Sequence, residues 1–217
     1  MKKFILTIAT ILLSTLVLCS CGAAEENNTL SIVDSGWCFE DGYIYYSVKI
    51  KNNSETKTYE FPSFRVTAYD ENGEVLGSEE QTMSEIKAGE TTGYASLGCE
   101  TSKKPDKVDI EIIEETDKWI YDDEGEHPGL IQMTAKDTKL RKDDMGYPII
   151  TGKIVNENEE VVESAAVSVL FKDKDGKLIG GETTFVDGIK AKGETPFELN
   201  TMSTFGTDDY EVLVQPW

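Results

Sequence analysis

The 217 residues carry 41 acidic against 21 basic side chains, a formal net charge of −20, with a single histidine. A surface that acidic repels phosphate backbones and anionic headgroups, which excludes nucleic acid as a partner. One histidine leaves almost nothing for imidazole-based catalysis or a zinc site.

Met1-Lys2-Lys3 forms a short basic start, and Phe4 to Leu18 is an apolar run of fifteen residues. That run is too short to span a bilayer and has the length of a signal-peptide core. It ends in Leu18-Cys19-Ser20-Cys21-Gly22, which resembles the lipobox of bacterial lipoproteins. The resemblance implies cleavage after Ser20 and a diacylglycerol (palmitate-type) anchor on Cys21. Two acyl chains hold a protein at a membrane where one holds only marginally. Residues 1–20 are therefore the expected signal peptide and 21–29 a tether, with the mature chain on the extracytoplasmic face of the cell membrane. Loss of Lys2 and Lys3 moves the charge from −20 to −22.

Leu30 to Phe39 reads as a first strand and Gly42 to Lys51 as a second, with Ile44, Tyr46, Val48 and Ile50 on one face. Phe64, Val66 and Ala68 line a third, which stops at Asp70-Glu71-Asn72-Gly73. Val75 and Leu76 open the return strand, Lys87-Ala88-Gly89 turns, Thr91 to Leu97 follows, and Val108 to Ile113 closes the unit. The same phrase then recurs. Val167, Val169 and Phe171 answer Phe64, Val66 and Ala68; Gly176 answers Gly73; Asn156 answers Asn52; Gly193-Glu194-Thr195 answers Gly89-Glu90-Thr91. Short strands at even spacing with no helical pattern predict an all-β chain of two tandem antiparallel immunoglobulin-like β-sandwich domains, residues 30–114 and 130–217. Residues 115–129 are the expected linker, with Trp119, Ile120 and Tyr121 too apolar to be freely solvated.

Val66-Thr67-Ala68-Tyr69-Asp70-Glu71-Asn72-Gly73-Glu74-Val75-Leu76-Gly77, followed by Lys87-Ala88-Gly89-Glu90-Thr91, resembles the FxLYD-type domains of bacterial lipoproteins. The second copy matches through Phe171, Asp173, Gly176, Gly180 and Gly193 to Phe197, and departs at Lys172 where the first has Tyr69. The resemblance implies a small extracytoplasmic β-sandwich and carries no catalytic residue and no cofactor.

His127 sits in an acidic linker, and acidic doublets such as Glu79-Glu80 point to opposite faces of a strand. Asp70 to Gly73 and Asp173 to Gly176 place glycine at position four, where a hairpin needs positive φ, not at position six as an EF-hand does. These readings favour a non-catalytic binding or spacer module at the cell envelope, its partner an envelope protein or a glycan. A calcium-dependent adhesive module or an envelope enzyme using Asp122 to Glu126 stays open as an alternative. Parity places Tyr43, Tyr45 and Tyr69 outward as a candidate binding surface, or against the neighbouring domain, or in cross-strand pairs that stabilise the sheet. Cys38 and Cys99, 61 residues apart, both lack a cysteine counterpart in the second copy. Joint loss is what a bonded pair predicts, so a structural disulfide is expected, with two buried free thiols as the alternative.

Overall fold

Alternating apolar and polar residues, broken by Gly, Asn and Asp turns, direct the chain into strands. The computed structural model describes residues 29–121 and 132–217. Among these, the strands of the first half are β1 (Leu30–Glu40), β2 (Tyr43–Asn52), β3 (Lys57–Glu60), β4 (Ser63–Tyr69), β5 (Val75–Thr82), β6 (Glu85–Ile86), β7 (Thr91–Glu100), β8 (Lys107–Ile113) and β9 (Trp119–Tyr121). The second half contributes β10 (Thr134–Lys142), β11 (Pro148–Asn156), β12 (Val162–Lys172), β13 (Leu178–Ile189), β14 (Gly193–Asn200) and β15 (Asp209–Pro216). All pairings are antiparallel, in small sheets ordered β1-β2-β7, β5-β4-β8, β6-β3-β9, β10-β11-β14 and β13-β12-β15. The chain is all-β and sandwich-like.

In the first half, β1-β2-β7 meets β5-β4-β8 across Tyr46, Val48, Ile50, Phe64, Val66 and Tyr94, with Tyr59 and Ile86 of the small sheet closing one end. In the second, β10-β11-β14 meets β13-β12-β15 across Ile150, Ile154, Val167, Val169, Phe171, Phe197 and Leu199. The expected inward residues Phe64, Val66, Ala68, Val167, Val169 and Phe171 are all fully buried. Strand parity set by apolar residues alone is enough to aim these side chains.

The turns repeat atom by atom. Asp70 Oδ1 accepts the N–H groups of Asn72 and Glu74, and Asp173 Oδ1 accepts those of Asp175 and Lys177. Gly73 and Gly176 sit at φ +80° and +79°, as the turn reading requires. A third copy, not singled out in the sequence, lies at Asp143, whose Oδ1 accepts Met145 and Tyr147 N–H. Asn52 and Asn156 also play matching roles. Each is buried, and each side-chain oxygen accepts the N–H two residues on, from Ser54 and Asn158.

Two expectations change. Residues 116–121, expected in the linker, form a single 3-10 turn and then β9, which pairs with β3. The main-chain partners of an edge strand hold this apolar segment to the first half. The second change concerns what covers β1-β2-β7. Its outer face is covered by β13, which passes Gly36 of β1 at Leu178, Tyr45 of β2 at Gly180, and Ala95 of β7 at Gly181. Thr183 Oγ1 then donates to the Ala95 carbonyl at 2.6 Å. One strand thus crosses three, the near-perpendicular style of sheet packing. The crossing is close because there is no side chain to hold it off. A Cβ on Gly36 would fall within the Leu178 carbonyl, and Gly180 combines φ +131° with the Tyr45 carbonyl 2.9 Å from where its Cβ would stand.

Candidate functional site

The long strands give the first half two ends. Gly42, Glu100, Tyr69 and Lys107 mark one; Asn52, Thr91, Ser63 and Ile113 mark the other. Ten residues of β2 separate them, about 33 Å of extended chain. Thr29, where the N-terminal segment enters, is at the second end, its carbonyl accepting Asn53 N–H at 2.9 Å.

At the first end lies a cleft of about 600 Å³, lined by Trp37, Asp70, Glu71, Lys103, Lys104, Pro105 and Asp106. Its walls are fixed by local chemistry. The loop from Thr101 to Asp106 is tied to the β1–β2 turn by Thr101 N–H to the Gly42 carbonyl, and to β4 by Asp106 N–H to the Tyr69 carbonyl. Thr101 Oγ1 donates to the Lys103 carbonyl at 3.0 Å. Lys103 Nζ pairs with Asp70 Oδ2 at 2.9 Å. The Lys103 ammonium, with the Glu74 and Asn72 N–H groups, draws the Asp70 carboxyl down to about 2, so the pair stays charged. Trp37 supplies a half-buried indole, while Lys104, Glu71 and Asp106 are exposed at the rim. Such a cleft offers an aromatic wall, a preformed ion pair and carboxylates of fixed position. Among the residues that line it, no hydroxyl or thiol stands beside a base.

A second group of reactive side chains lies at the junction of the halves. Glu40 of β1 accepts Ser203 Oγ at 2.6 Å and the Thr204 N–H and hydroxyl at 3.2 Å. Glu182 of β13 accepts Met202 N–H at 2.6 Å. Tyr45 donates its hydroxyl to the Met202 carbonyl at 3.1 Å, and its ring meets Phe205 edge-on at 5.6 Å. Cys38 is hydrogen-bonded with the Ser203 side chain, and burial pushes its thiol up to about 11. A thiol held protonated at neutral pH is no nucleophile. Lys49 Nζ adds an ion pair to Glu211 Oε1 at 2.9 Å, which joins β2 to β15. These groups clip the halves together.

Burial also pushes the Glu182 carboxyl up to about 7, against the N–H groups of Met202 and Ser203 that lower it. The fold therefore holds this proton more tightly than the unfolded chain does. Stability from Glu182 is greatest below about 4.5 and falls as pH rises toward 7. Relative to Glu182→Gln, the wild type is expected to lose on the order of 1–3 kcal/mol between pH 4.5 and pH 8. Urea unfolding of both proteins at the two pH values checks it; parallel pH dependences would refute it.

The expected site residues divide. Tyr45 is not on a free surface. It is only 2% exposed and belongs to the core of the second half. Parity sent it outward from its own sheet, where β13-β12-β15 covers it. Tyr43 is 36% exposed, and Tyr69 lies in a different sheet, half-buried, with Lys107 Nζ 5.8 Å from its ring centroid. The three form no common face. Cys38 and Cys99 are free thiols, a correction to the expected disulfide. Their strands flank β2 on opposite sides, about 10 Å apart at the sheet spacing, beyond the ~7 Å Cα limit of a bridge. Cys38 meets Ser203, whereas the Cys99 sulfur lies over Gly77. Among the described residues no three His, Cys, Asp or Glu side chains gather to hold a metal. Cys21, His127 and the Asp122 to Glu126 cluster lie outside the described residues. Glu40, Glu182 and Ser203 were not legible as partners, since 163 residues separate Glu40 from Ser203 and no local motif links them.

A scan against protein-family models finds no match to this chain, and a search of curated proteins finds none.

Proposed function

We propose that this chain is a lipid-anchored protein of the extracytoplasmic cell envelope that binds without catalysis. In this reading it consists of two immunoglobulin-like β-sandwiches of the FxLYD type, held at the membrane through Cys21. The observation that carries the reading is the position of the Trp37–Asp70–Lys103 cleft, at the end of the first sandwich opposite Thr29. A tether at one end and a recognition cleft at the other suit a module that presents its cleft away from the bilayer. The junction supports a presenting role as well, because Glu40, Tyr45 and Lys49 each bond to the second half. The cleft's chemistry fits a segment with an apolar face and alternating donors and acceptors, as an envelope glycan or an extended peptide has.

The test is capture of envelope components by the membrane-extracted protein, compared with Lys104→Glu. Lys104 is exposed, and no ion pair joins it to another of the described residues, so the fold is expected to survive the change. Components retained by the wild type and released by Lys104→Glu support the cleft. Identical capture by both proteins would remove it, and turnover of a captured component would remove the non-catalytic reading.

A further inference from the structure

The end of the first half that receives Thr29 also carries exposed aromatic rings, each with a lysine or an apolar groove beside it. Tyr121 of β9 is 55% exposed, with Lys57 Nζ 5.4 Å from its ring centroid. Phe61, at the far end of β3 from Lys57, is 43% exposed, with Lys118 Nζ 5.9 Å from its ring. Trp217 is 42% exposed and lines a groove of about 310 Å³ together with Phe61 and Met83. Phe185 extends this patch, its ring 5.0 Å from that of Trp217.

Phe61 is not outside by default. Its backbone stands at φ +48°, a conformation that side chains other than glycine rarely adopt and that persists only where the surroundings impose it. The Phe61 N–H to Ser84 carbonyl bond and the Met83 N–H to Pro62 carbonyl bond impose it here. The ring is therefore held outward by main-chain bonds on both sides.

We infer that this end is a membrane-docking face, on which Phe61, Tyr121 and Trp217 enter the interfacial layer of the bilayer. The inference rests on the anchor at Cys21. Seven residues lie between Cys21 and Thr29, eight Cα-to-Cα steps with a reach of about 28 Å at full extension. That length keeps Thr29, and the rings at the same end, within reach of the lipid surface. Tyrosine and tryptophan favour this layer because the ring is apolar and the OH or NH is polar, and lysines beside them reach the headgroups with their stems on the rings. Glu55, Glu60 and Asp117 share the end, so the attraction is aromatic and not a response to anionic lipid. Docked in this way, the Trp37 cleft points away from the membrane.

The acylated protein, extracted and reconstituted into phosphatidylcholine vesicles with brominated acyl chains, tests this through its tryptophan emission. The wild type is expected to float with the vesicles and to lose the emission of one tryptophan of its three, while Trp217→Phe floats and loses none. Flotation without quenching overturns the docking and leaves the anchor standing. Equal quenching in the wild type and Trp217→Phe also overturns the docking. Cross-linked dimers without quenching assign the groove to a second copy and overturn it as well. Failure to float overturns the anchor and the docking together.

Discussion

Tyr45→Ala is expected to lower the unfolding free energy by about 3–5 kcal/mol, the range for emptying a fully buried aromatic site. The loss falls on both halves at once. Tyr45 belongs to β2 of the first half, but its ring meets Phe205 and its hydroxyl bonds the Met202 carbonyl in the second. Phe205 in turn stacks on Phe171 at 4.2 Å, so the cavity opens beside the central strand of the second core. Uncoupling of the halves is expected to broaden or split the thermal transition. Tyr45→Phe keeps the ring and loses only the hydrogen bond, a loss of about 0.5–1.5 kcal/mol. Urea and thermal unfolding of the two variants check both figures. A Tyr45→Ala protein as stable as Tyr45→Phe would contradict the junction described here.

Asn52→Leu is expected to cost about 3 kcal/mol or more, since three main-chain groups lose their partner in a site closed to water. Asn52 Nδ2 donates to the Lys57 carbonyl at 2.7 Å and to the Ile86 carbonyl at 2.9 Å, and Oδ1 accepts Ser54 N–H at 2.9 Å. Leucine keeps the branching of asparagine and none of its polar atoms, but its methyl groups are bulkier than the amide, so overpacking in this closed site adds to the lost bonds. The same residue ties β2 to β6 and to the start of β3, which closes the end of the core where Tyr59 and Ile86 lie. Asn156→Leu is expected to act in the same direction, through the Glu160 carbonyl and Asn158. Losses below about 1 kcal/mol in urea unfolding would mean that neither asparagine organises its turn.

The local half of this architecture could be read directly from the chain. Asp70, Gly73, Asp173 and Gly176 announce their turns because the bonds involved span four residues and depend on residue type. Phe64, Val66, Val167 and Val169 announce the inner faces because the strand period is two. What the sequence could not carry was the meeting of the halves. Gly36, Gly180 and Gly181 look like ordinary strand glycines, and only the passage of β13 across β1-β2-β7 gives their bare Cα positions a purpose. The outward parity of Tyr45 was legible, and so was burial against the neighbouring domain as one of its readings; which strand lies over it was not. The expected Cys38–Cys99 bridge failed for a related reason. Joint absence from the second copy carries no geometry, and β2 lies between the two strands. The cleft was missed because Trp37, Asp70 and Lys103 come from separate strands and loops that no sequence spacing unites.

The claim that this is an anchored module with its cleft held away from the bilayer is tested most directly by energy transfer to the membrane. A donor fluorophore is placed at position 104, and in a second protein at position 61, with acceptors in the headgroups of vesicles carrying the acylated protein. The expected result is strong transfer from position 61 and weak transfer from position 104, a separation of about 30 Å along the strands. Equal transfer from the two positions, or stronger transfer from position 104, would contradict it.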